Sequence, residues 1–186
     1  VVQCVKSCSH PPACLLLAAL CSMVLVAGIG EGSPFGVNAH IPSDRIADEI
    51  AAAGIEWVRI DVVWALIEPE QDRFDWQRYD DLMNRLRSRG LRILANVGGT
   101  PAWATSGSEF SGVPAEPSDW QDFCYRLAAR YHDQVDAWAF WNEPNLGHFW
   151  EGSRRQYLDW ILLPGIEVLP ECKNVVLTVF GHSAPY

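Results

Sequence analysis

Hydrophobic positions along the chain alternate between two spacings from Ser33 onward. Short, nearly continuous apolar runs are typical of buried strands, and the stretches between them carry apolar residues at the spacing of amphipathic helices. The runs predict five strands, over residues 34–40, 56–61, 91–97, 135–140 and 174–180. An alternation of strand and helix is the pattern of an α/β fold.

The first two of four predicted helices have the clearest boundaries. The first is expected to be capped by Ser43 or Asp44 and to end before Gly54. The second should end at Gly90. Its apolar residues recur at i, i+3, i+4 and i+7, at Tyr79, Leu82, Met83 and Leu86.

The third helix is predicted from its capping residue, and the fourth from the proline that should interrupt it. A long loop over 98–116, rich in Gly, Pro, Ser and Thr, is followed by Ser118, the expected cap of the third helix. A fourth helix begins near Arg154. It should break at Pro164, because proline has no N–H and its ring clashes with the preceding turn.

Repeated βα units predict a parallel sheet, in either a doubly wound open sheet or a (β/α)₈ (TIM) barrel. The first strand is not followed by a glycine-rich phosphate loop, which disfavours the dinucleotide-binding form of the open sheet. A complete barrel needs about 250 residues. We therefore expect residues 31–186 to form an incomplete barrel, its first five βα units.

The N-terminal segment differs in character from the rest of the chain. Residues 13–30 carry no charge and end in small residues, as in a secretory signal peptide cleaved after Ala27 or Gly28. A buried core helix and an uncleaved membrane anchor are the alternatives. Residues 1–30 are thus expected to direct secretion, or to hold the protein at a membrane if they are not removed.

The formal net charge of -9 disfavours nucleic acid and anionic membranes as partners. Four of the six cysteines lie in the N-terminal segment at spacings that fit no zinc site. The other two, Cys124 and Cys172, could form a disulfide or remain free thiols in the packing. No metal or cofactor signature is present in the sequence, so none is expected.

The pentapeptide Trp141-Asn142-Glu143-Pro144-Asn145 follows the fourth predicted strand. In parallel α/β barrels, side chains at the C-terminal ends of strands form the active site. A glutamate among tryptophans is poorly solvated, which favours its protonated form. Glu143 is therefore a candidate general acid, with the amide of Asn142 beside it.

Other polar side chains fall at or near the ends of the first three strands. Arg59 and Asp61 lie two residues apart and should share one face of the second strand. His40 and Asn96 end the first and third strands, where each could contact a ligand or serve as a cap or core residue. We expect these side chains to converge with Glu143 at one end of the sheet.

Several motifs spread over residues 35–183 resemble the N-terminal part of retaining glycoside hydrolases of clan A, nearest in style to families 39 and 5. They are Phe35-Gly36-Val37-Asn38, Trp57-Val58-Arg59-Ile60-Asp61, Ile67-Glu68-Pro69 with Phe74-Asp75-Trp76, Pro101-Ala102-Trp103-Ala104, and Trp141-Asn142-Glu143-Pro144-Asn145.

The resemblance implies an enzyme that hydrolyses O-glycosyl bonds of a β-linked oligo- or polysaccharide. Glu143 would be the acid/base, Asn142 would bind the sugar 2-hydroxyl, and Arg59 would brace the catalytic carboxylates. The clan's second carboxylate arrives on strand seven, which this stretch does not reach, so the stretch alone is expected to be inactive. An Arg59–Asp61 pair without a substrate role is the alternative for Arg59.

Aromatic rings are the remaining candidate contacts to a sugar. Trp64, Trp103 and Trp141 could each cover the apolar face of a pyranose, although packing in the core is an equally good interpretation of each. Two other functions stay open: a non-catalytic carbohydrate-binding protein, and an interaction protein on a degenerate barrel.

Overall fold

The computed structural model describes residues 36–168, which form a parallel sheet with helices. Its strands are β1 (Gly36–His40), β2 (Trp57–Val63), β3 (Arg92–Gly98) and β4 (Ala137–Phe140). Its α-helices are α1 (Asp44–Ala52), α2 (Trp64–Ile67), α3 (Gln77–Arg87), α4 (Pro117–Tyr131), α5 (Arg154–Gln156) and α6 (Leu163–Glu167). A 3₁₀ turn spans Ala102–Ala104, and a π-helix over Tyr157–Leu162 joins α5 to α6.

All three strand pairings are parallel, and the strand order is β1-β2-β3-β4. The predicted α/β fold with a parallel sheet in sequence order is therefore confirmed for these four strands. The predicted fifth strand, over 174–180, lies outside the described residues, as do the N-terminal segment and Cys172.

Successive residues of β2 point to opposite faces of the sheet. Val58, Ile60 and Val62 are completely buried in the main hydrophobic core, whereas Arg59 and Asp61 lie on the other face. Strand β3 repeats this pattern, with core positions at Ile93, Ala95 and Val97. The same core contains the buried residues of α1, α3 and α4. These helices thus cover one face of the sheet, and polar side chains occupy the other.

The first and second predicted helices are confirmed, as α1 and α3. Ser43 caps α1 by accepting a hydrogen bond from the Ile46 amide at 3.4 Å. The four apolar residues predicted for the second helix are all completely buried in α3. Gly90 follows α3 with a positive φ of 72°, a conformation that a residue with a Cβ adopts less readily.

Two boundary predictions are wrong. Helix α4 begins at Pro117 with Glu116 before it, and no side chain caps its first turn. Proline suits the first position because its φ is already helical and its missing N–H has no partner to lose there, so Ser118 lies within the helix instead of capping it.

The predicted break at Pro164 is absent. The helical path continues through α6, and it does so by way of the π-helix, where the amide of Leu163 donates to the carbonyl of Leu158, five residues back. The π-helix ends at Leu162 and α6 begins at Leu163, so Pro164 falls in the first turn of α6, where a residue without an N–H is tolerated.

The long loop also contains structure that the sequence pattern does not predict, namely the 3₁₀ turn at Ala102–Ala104. Cys124 is buried in α4, and burial raises the pKa of its thiol well above the ordinary value. Whether it pairs with Cys172 stays a prediction. Between residues 36 and 168, no helix combines the length and the apolar character needed to cross a bilayer.

Candidate active site at the C-terminal edge of the sheet

Arg59 connects three parts of the C-terminal half of the sheet. Its guanidinium donates to the side-chain oxygen of Asn38 at 3.2 Å, of Asp61 at 3.4 Å and of Asn142 at 3.0 Å. Asn38 lies on β1, and Asn142 follows β4, so the bonds span the width of the described sheet. Because a guanidinium has a fixed, forked set of donors, it holds these acceptors in a defined arrangement.

His40 is the last residue of β1, and its Nδ1 lies 2.6 Å from Asp61 Oδ2. The register of β1 against β2 shifts between Asn38 and His40, and His40 has a positive φ of 56°. The irregularity turns the imidazole toward the neighbouring strand. Asp61 thus accepts from both His40 and Arg59, and neither its carboxylate nor the guanidinium is unpaired.

Strand β4 ends at Phe140, and the chain then turns sharply. Trp141 and Glu143 have positive φ angles of 67° and 38°, which non-glycine residues adopt only at a cost of about 1–3 kcal/mol each. Such strain is found mainly where the surrounding structure fixes a functional conformation. Glu143 is half-buried, and the bond from Arg59 to Asn142 fixes the residue directly before it.

Asn96 lies on the polar face of β3, in register with Asp61 on β2. Its side chain is buried, with 6% of the residue exposed, and its Oδ1 accepts no hydrogen bond from any residue in the described stretch. A buried polar atom without a partner costs free energy, so this oxygen is an acceptor that a bound hydroxyl group could satisfy.

Of the three tryptophans predicted as sugar contacts, two are core residues. Trp64 is completely buried against Trp103, Trp120 and Phe123. Trp141 is 2% exposed, and its indole N–H donates to the carbonyl of Phe149 at 2.6 Å. With their rings inside the core, neither offers a face to a sugar. Core packing, the alternative interpretation, is what the structure shows for both.

Trp103 is the one of the three that remains half-buried. Its indole N–H donates to the carbonyl of Glu68 at 2.8 Å, and its ring meets that of Trp64 edge to face. Glu68 is itself a buried carboxylate that accepts from the Trp64 indole at 2.7 Å and from the Asp72 amide at 2.8 Å. Burial raises the pKa of Glu68 above its ordinary value.

The candidate site therefore brings together five polar side chains, with Glu143 adjacent in sequence to one of them. They are Asn38, His40, Arg59, Asp61 and Asn142. Within residues 36–168, no three His, Cys, Asp or Glu side chains cluster so that they could hold a metal ion. The arrangement is suited to binding hydroxyl groups and to proton transfer at Glu143.

A protein-family model of glycoside hydrolase family 42, described as β-galactosidase, matches residues 25–109. A search of curated proteins finds no match. Among solved structures, a family 39 glycoside hydrolase from Bacteroides cellulosilyticus WH2 matches with a TM-score of 0.55 and 20% identity. This match covers 76% of the present chain and 30% of that enzyme's chain.

Two further structures have the same fold. A family 5 enzyme from Bifidobacterium longum, in complex with Manβ1-4GlcNAc, has a TM-score of 0.55 and 15% identity. The match covers 72% of the present chain and 37% of that enzyme's chain. A β-galactosidase from Marinomonas ef1 has a TM-score of 0.50 and 23% identity, with coverage of 61% and 22%. The chain thus spans well under half the length of each structure.

The family model and the shared fold confirm the resemblance to clan A glycoside hydrolases. The glycosidases that share this fold are TIM-barrel enzymes. The chain is thus similar to glycoside hydrolases over residues 25–109 and in its fold.

Proposed function

We propose that this chain supplies the acid/base part of a retaining β-glycosidase, an enzyme that hydrolyses O-glycosyl bonds in β-linked oligo- or polysaccharides. The observation that carries the proposal is the 3.0 Å hydrogen bond from Arg59 to Asn142. It fixes the amide next to Glu143 at the C-terminal edge of a parallel sheet, where barrel enzymes keep their catalytic groups.

Glu143 is the proton donor and acceptor of this reaction. As an acid it gives its proton to the glycosidic oxygen while the bond from that oxygen to the sugar's anomeric carbon breaks. A second carboxylate forms a bond to the same carbon. As a base Glu143 then takes a proton from a water molecule, whose oxygen bonds to the anomeric carbon while the bond from that carbon to the second carboxylate breaks.

Asn142 and Arg59 position the sugar and the acid. Because the side-chain oxygen of Asn142 accepts from Arg59, its NH₂ group is left to donate to a sugar hydroxyl. The unpartnered oxygen of Asn96 and the outer nitrogen of His40 complete a set of groups that can bind further hydroxyls. Asp61 is already engaged by His40 and Arg59, and we do not assign it as the nucleophile.

We also propose that the sheet belongs to a (β/α)₈ barrel. Helices α1, α3 and α4 cover one face, and charged and amide side chains occupy the other. In a doubly wound sheet both faces carry helices, whereas in a barrel the helices are all outside. The one-sided coverage supports the barrel, and so does the fold shared with the family 39 enzyme.

Replacement of Glu143 by alanine in the whole protein tests the assignment. Turnover of substrates with poor leaving groups should fall by about 10²- to 10⁴-fold, because their departure needs the proton. Substrates with good leaving groups, such as dinitrophenyl β-glycosides, should lose least in formation of the intermediate. Azide should restore turnover, since a small anion attacks the intermediate without a base.

The matched control is Glu49→Ala, because Glu49 is an exposed glutamate on α1 and away from the sheet edge. Its activity should equal that of the wild type. An equal loss on all substrates, with no response to azide, would make Glu143 a binding residue. Binding of β-linked oligosaccharides without any turnover by the wild type would favour the non-catalytic carbohydrate-binding alternative.

A further inference from the structure

Phe110 is an aromatic residue with an unusual conformation at the surface. It lies in the loop between β3 and α4 and is 48% exposed. Its φ is 73°, in the left-handed region, where a bulky residue with a Cβ is disfavoured. An exposed ring gains little from burial, so packing does not account for this strain.

The backbone of Phe110 is nevertheless firmly held. Its amide donates to the carbonyl of Thr100 at 2.8 Å, and the Thr100 amide donates back to its carbonyl at 3.3 Å. Thr100 is completely buried just beyond β3, and its hydroxyl donates to the carbonyl of Gly112 at 2.6 Å. The loop therefore presents the Phe110 ring from a fixed backbone.

The ring stands next to the polar face of the sheet. A Cβ built on Gly99 would lie 3.5 Å from Phe110 Cδ1 and 2.8 Å from Val63 Cγ1. Val63 is the last residue of β2, and alternation places it on the same face as Arg59 and Asp61. Phe110 Cδ1 and Val63 Cγ1 therefore both lie beside Gly99, so the Phe110 ring is close to the end of the row that carries the candidate site.

Glu151 ties the Phe110 loop to the segment that follows Glu143. Its carboxylate accepts from the Ser108 amide at 3.1 Å and from the Ser111 hydroxyl at 3.3 Å. Its own amide donates to the Ser111 carbonyl at 2.9 Å. The backbone on both sides of Phe110 is therefore held against the loop that carries the candidate acid.

We propose that Phe110 is a stacking platform for a pyranose ring at the entrance of the candidate site. The flat ring covers the apolar C–H face of the sugar, and the hydroxyls at the sugar's edge reach the polar side chains of the sheet. The ligand class is therefore a β-linked carbohydrate. This inference rests on the proposed glycosidase function and adds a substrate contact on the β3–α4 loop.

The test compares three replacements of Phe110 in the whole protein, with p-nitrophenyl β-galactoside and p-nitrophenyl β-glucoside as probes. Phe110→Leu keeps an apolar side chain but removes the flat face, and KM should rise by about three- to tenfold. Phe110→Trp keeps a flat face and should keep KM within about twofold of the wild type.

Phe110→Gly separates binding from stability. Glycine adopts a positive φ freely, so the melting temperature should stay the same or rise. The KM should still rise as in Phe110→Leu. A structural role for the ring predicts the reverse, with a lower melting temperature and an unchanged KM. Tyr125→Leu is the matched control, because Tyr125 is an exposed aromatic on α4 away from the sheet edge, and it should leave KM unchanged.

The outcomes distinguish this inference from the function on which it rests. Wild-type turnover together with an unchanged KM in Phe110→Leu would overturn the stacking role alone. If the wild type binds the two probes without hydrolysing them, the dissociation constants of the wild type and the Phe110 variants are compared in place of KM. The stacking role is then tested by whether Phe110→Leu weakens binding. If the wild type neither binds nor hydrolyses any of a panel of β-glycosides, both proposals fail.

Discussion

Arg59 reaches from the middle of β2 to side chains on both of its flanks. Its bonds to Asn38, Asp61 and Asn142 use the two outer nitrogens of one guanidinium, and its side chain is only 20% exposed. In such partly buried surroundings a charged hydrogen bond contributes more than at the surface, about 1.5–3 kcal/mol. The geometry of this one residue therefore determines where Asn142 lies, and with it the start of the segment carrying Glu143.

Arg59→Lys tests whether the position of Asn142 depends on the shape of the Arg59 guanidinium. Lysine keeps the charge but has a single nitrogen, which cannot hold acceptors on both sides. We expect kcat/KM of the whole protein on its best β-glycoside to fall by about 10- to 100-fold, while circular dichroism shows an unchanged fold. Arg45→Lys, at an exposed pair on α1, should keep full activity. Equal activity of the two lysine variants would rule out a role for the guanidinium fork.

That Arg59 reaches the segment after β4 could be predicted from strand position and parallel pairing, but its partner there is the amide of Asn142, whereas the resemblance implied the catalytic carboxylates. Phe110 and Glu68 could not be predicted in the same way. Phe110 owes its place to two backbone hydrogen bonds with Thr100, and Glu68 to the indole of Trp64 and the amide of Asp72. These contacts form only once the loops fold against the sheet, and no periodicity encodes them.

Helices α3 and α4 are joined by the carboxylate of Asp80. Asp80 on α3 accepts from the Nε and an outer nitrogen of Arg130 at 2.8 and 2.5 Å, and from the Tyr131 hydroxyl at 2.8 Å. The Arg130 guanidinium and the Tyr131 hydroxyl hold the pKa of Asp80 below its ordinary value. The bonds orient the two helices at the edge of the apolar core beneath them.

Asp80→Asn should lower the free energy of unfolding by about 1–2 kcal/mol at neutral pH, since it removes a bidentate ion pair and weakens the tyrosine bond. Because the folded-state pKa of Asp80 is depressed, its contribution is present above the unfolded pKa near 3.9 and is lost as the pH falls through the folded value. Urea titrations at pH 7 and pH 3 measure this difference.

The difference in the free energy of unfolding between the wild type and Asp80→Asn should therefore be smaller at pH 3 than at pH 7. The control is Asp122→Asn, whose partner Arg126 lies one turn away on the same helix, so that it joins no two elements. Asp122→Asn should lower the free energy of unfolding by less than about 0.5 kcal/mol. If Asp80→Asn lowers the free energy of unfolding equally at both pH values, the loss comes from altered packing and not from the lost charge.

The ends of a helix could be predicted from the sequence where residues within or next to the helix determine them. The apolar stripe of α3 and the glycine after it depend on residues within the helix, and the structure confirms both. The start of α4 and the path through Pro164 were mispredicted. A serine can cap a helix or lie within its first turn, and a proline can end a helix or lie in its first turn. Here Pro117 takes the first position of α4, and the π-helix before α6 lets the helical path continue through Pro164.

Within residues 36–168, helices cover one face of the sheet and leave the other without a helical layer. The apolar rows of β2 and β3 face the helices, and the opposite rows carry Arg59, Asp61 and Asn96. Polar residues in register across neighbouring strands need a partner face or a ligand. Closure of the sheet into a barrel would provide the partner face, with hydroxyl-rich ligands at the open end.

We propose that the apolar stretch over 13–30 directs export of the protein. In cells that secrete the whole protein, N-terminal sequencing of the secreted form should begin at Gly28 or Ile29. Leu16→Arg places a charge in the apolar stretch and should block export, whereas Gln3→Arg, outside the stretch, should not. An intact N-terminus in the membrane fraction would instead identify the segment as an anchor.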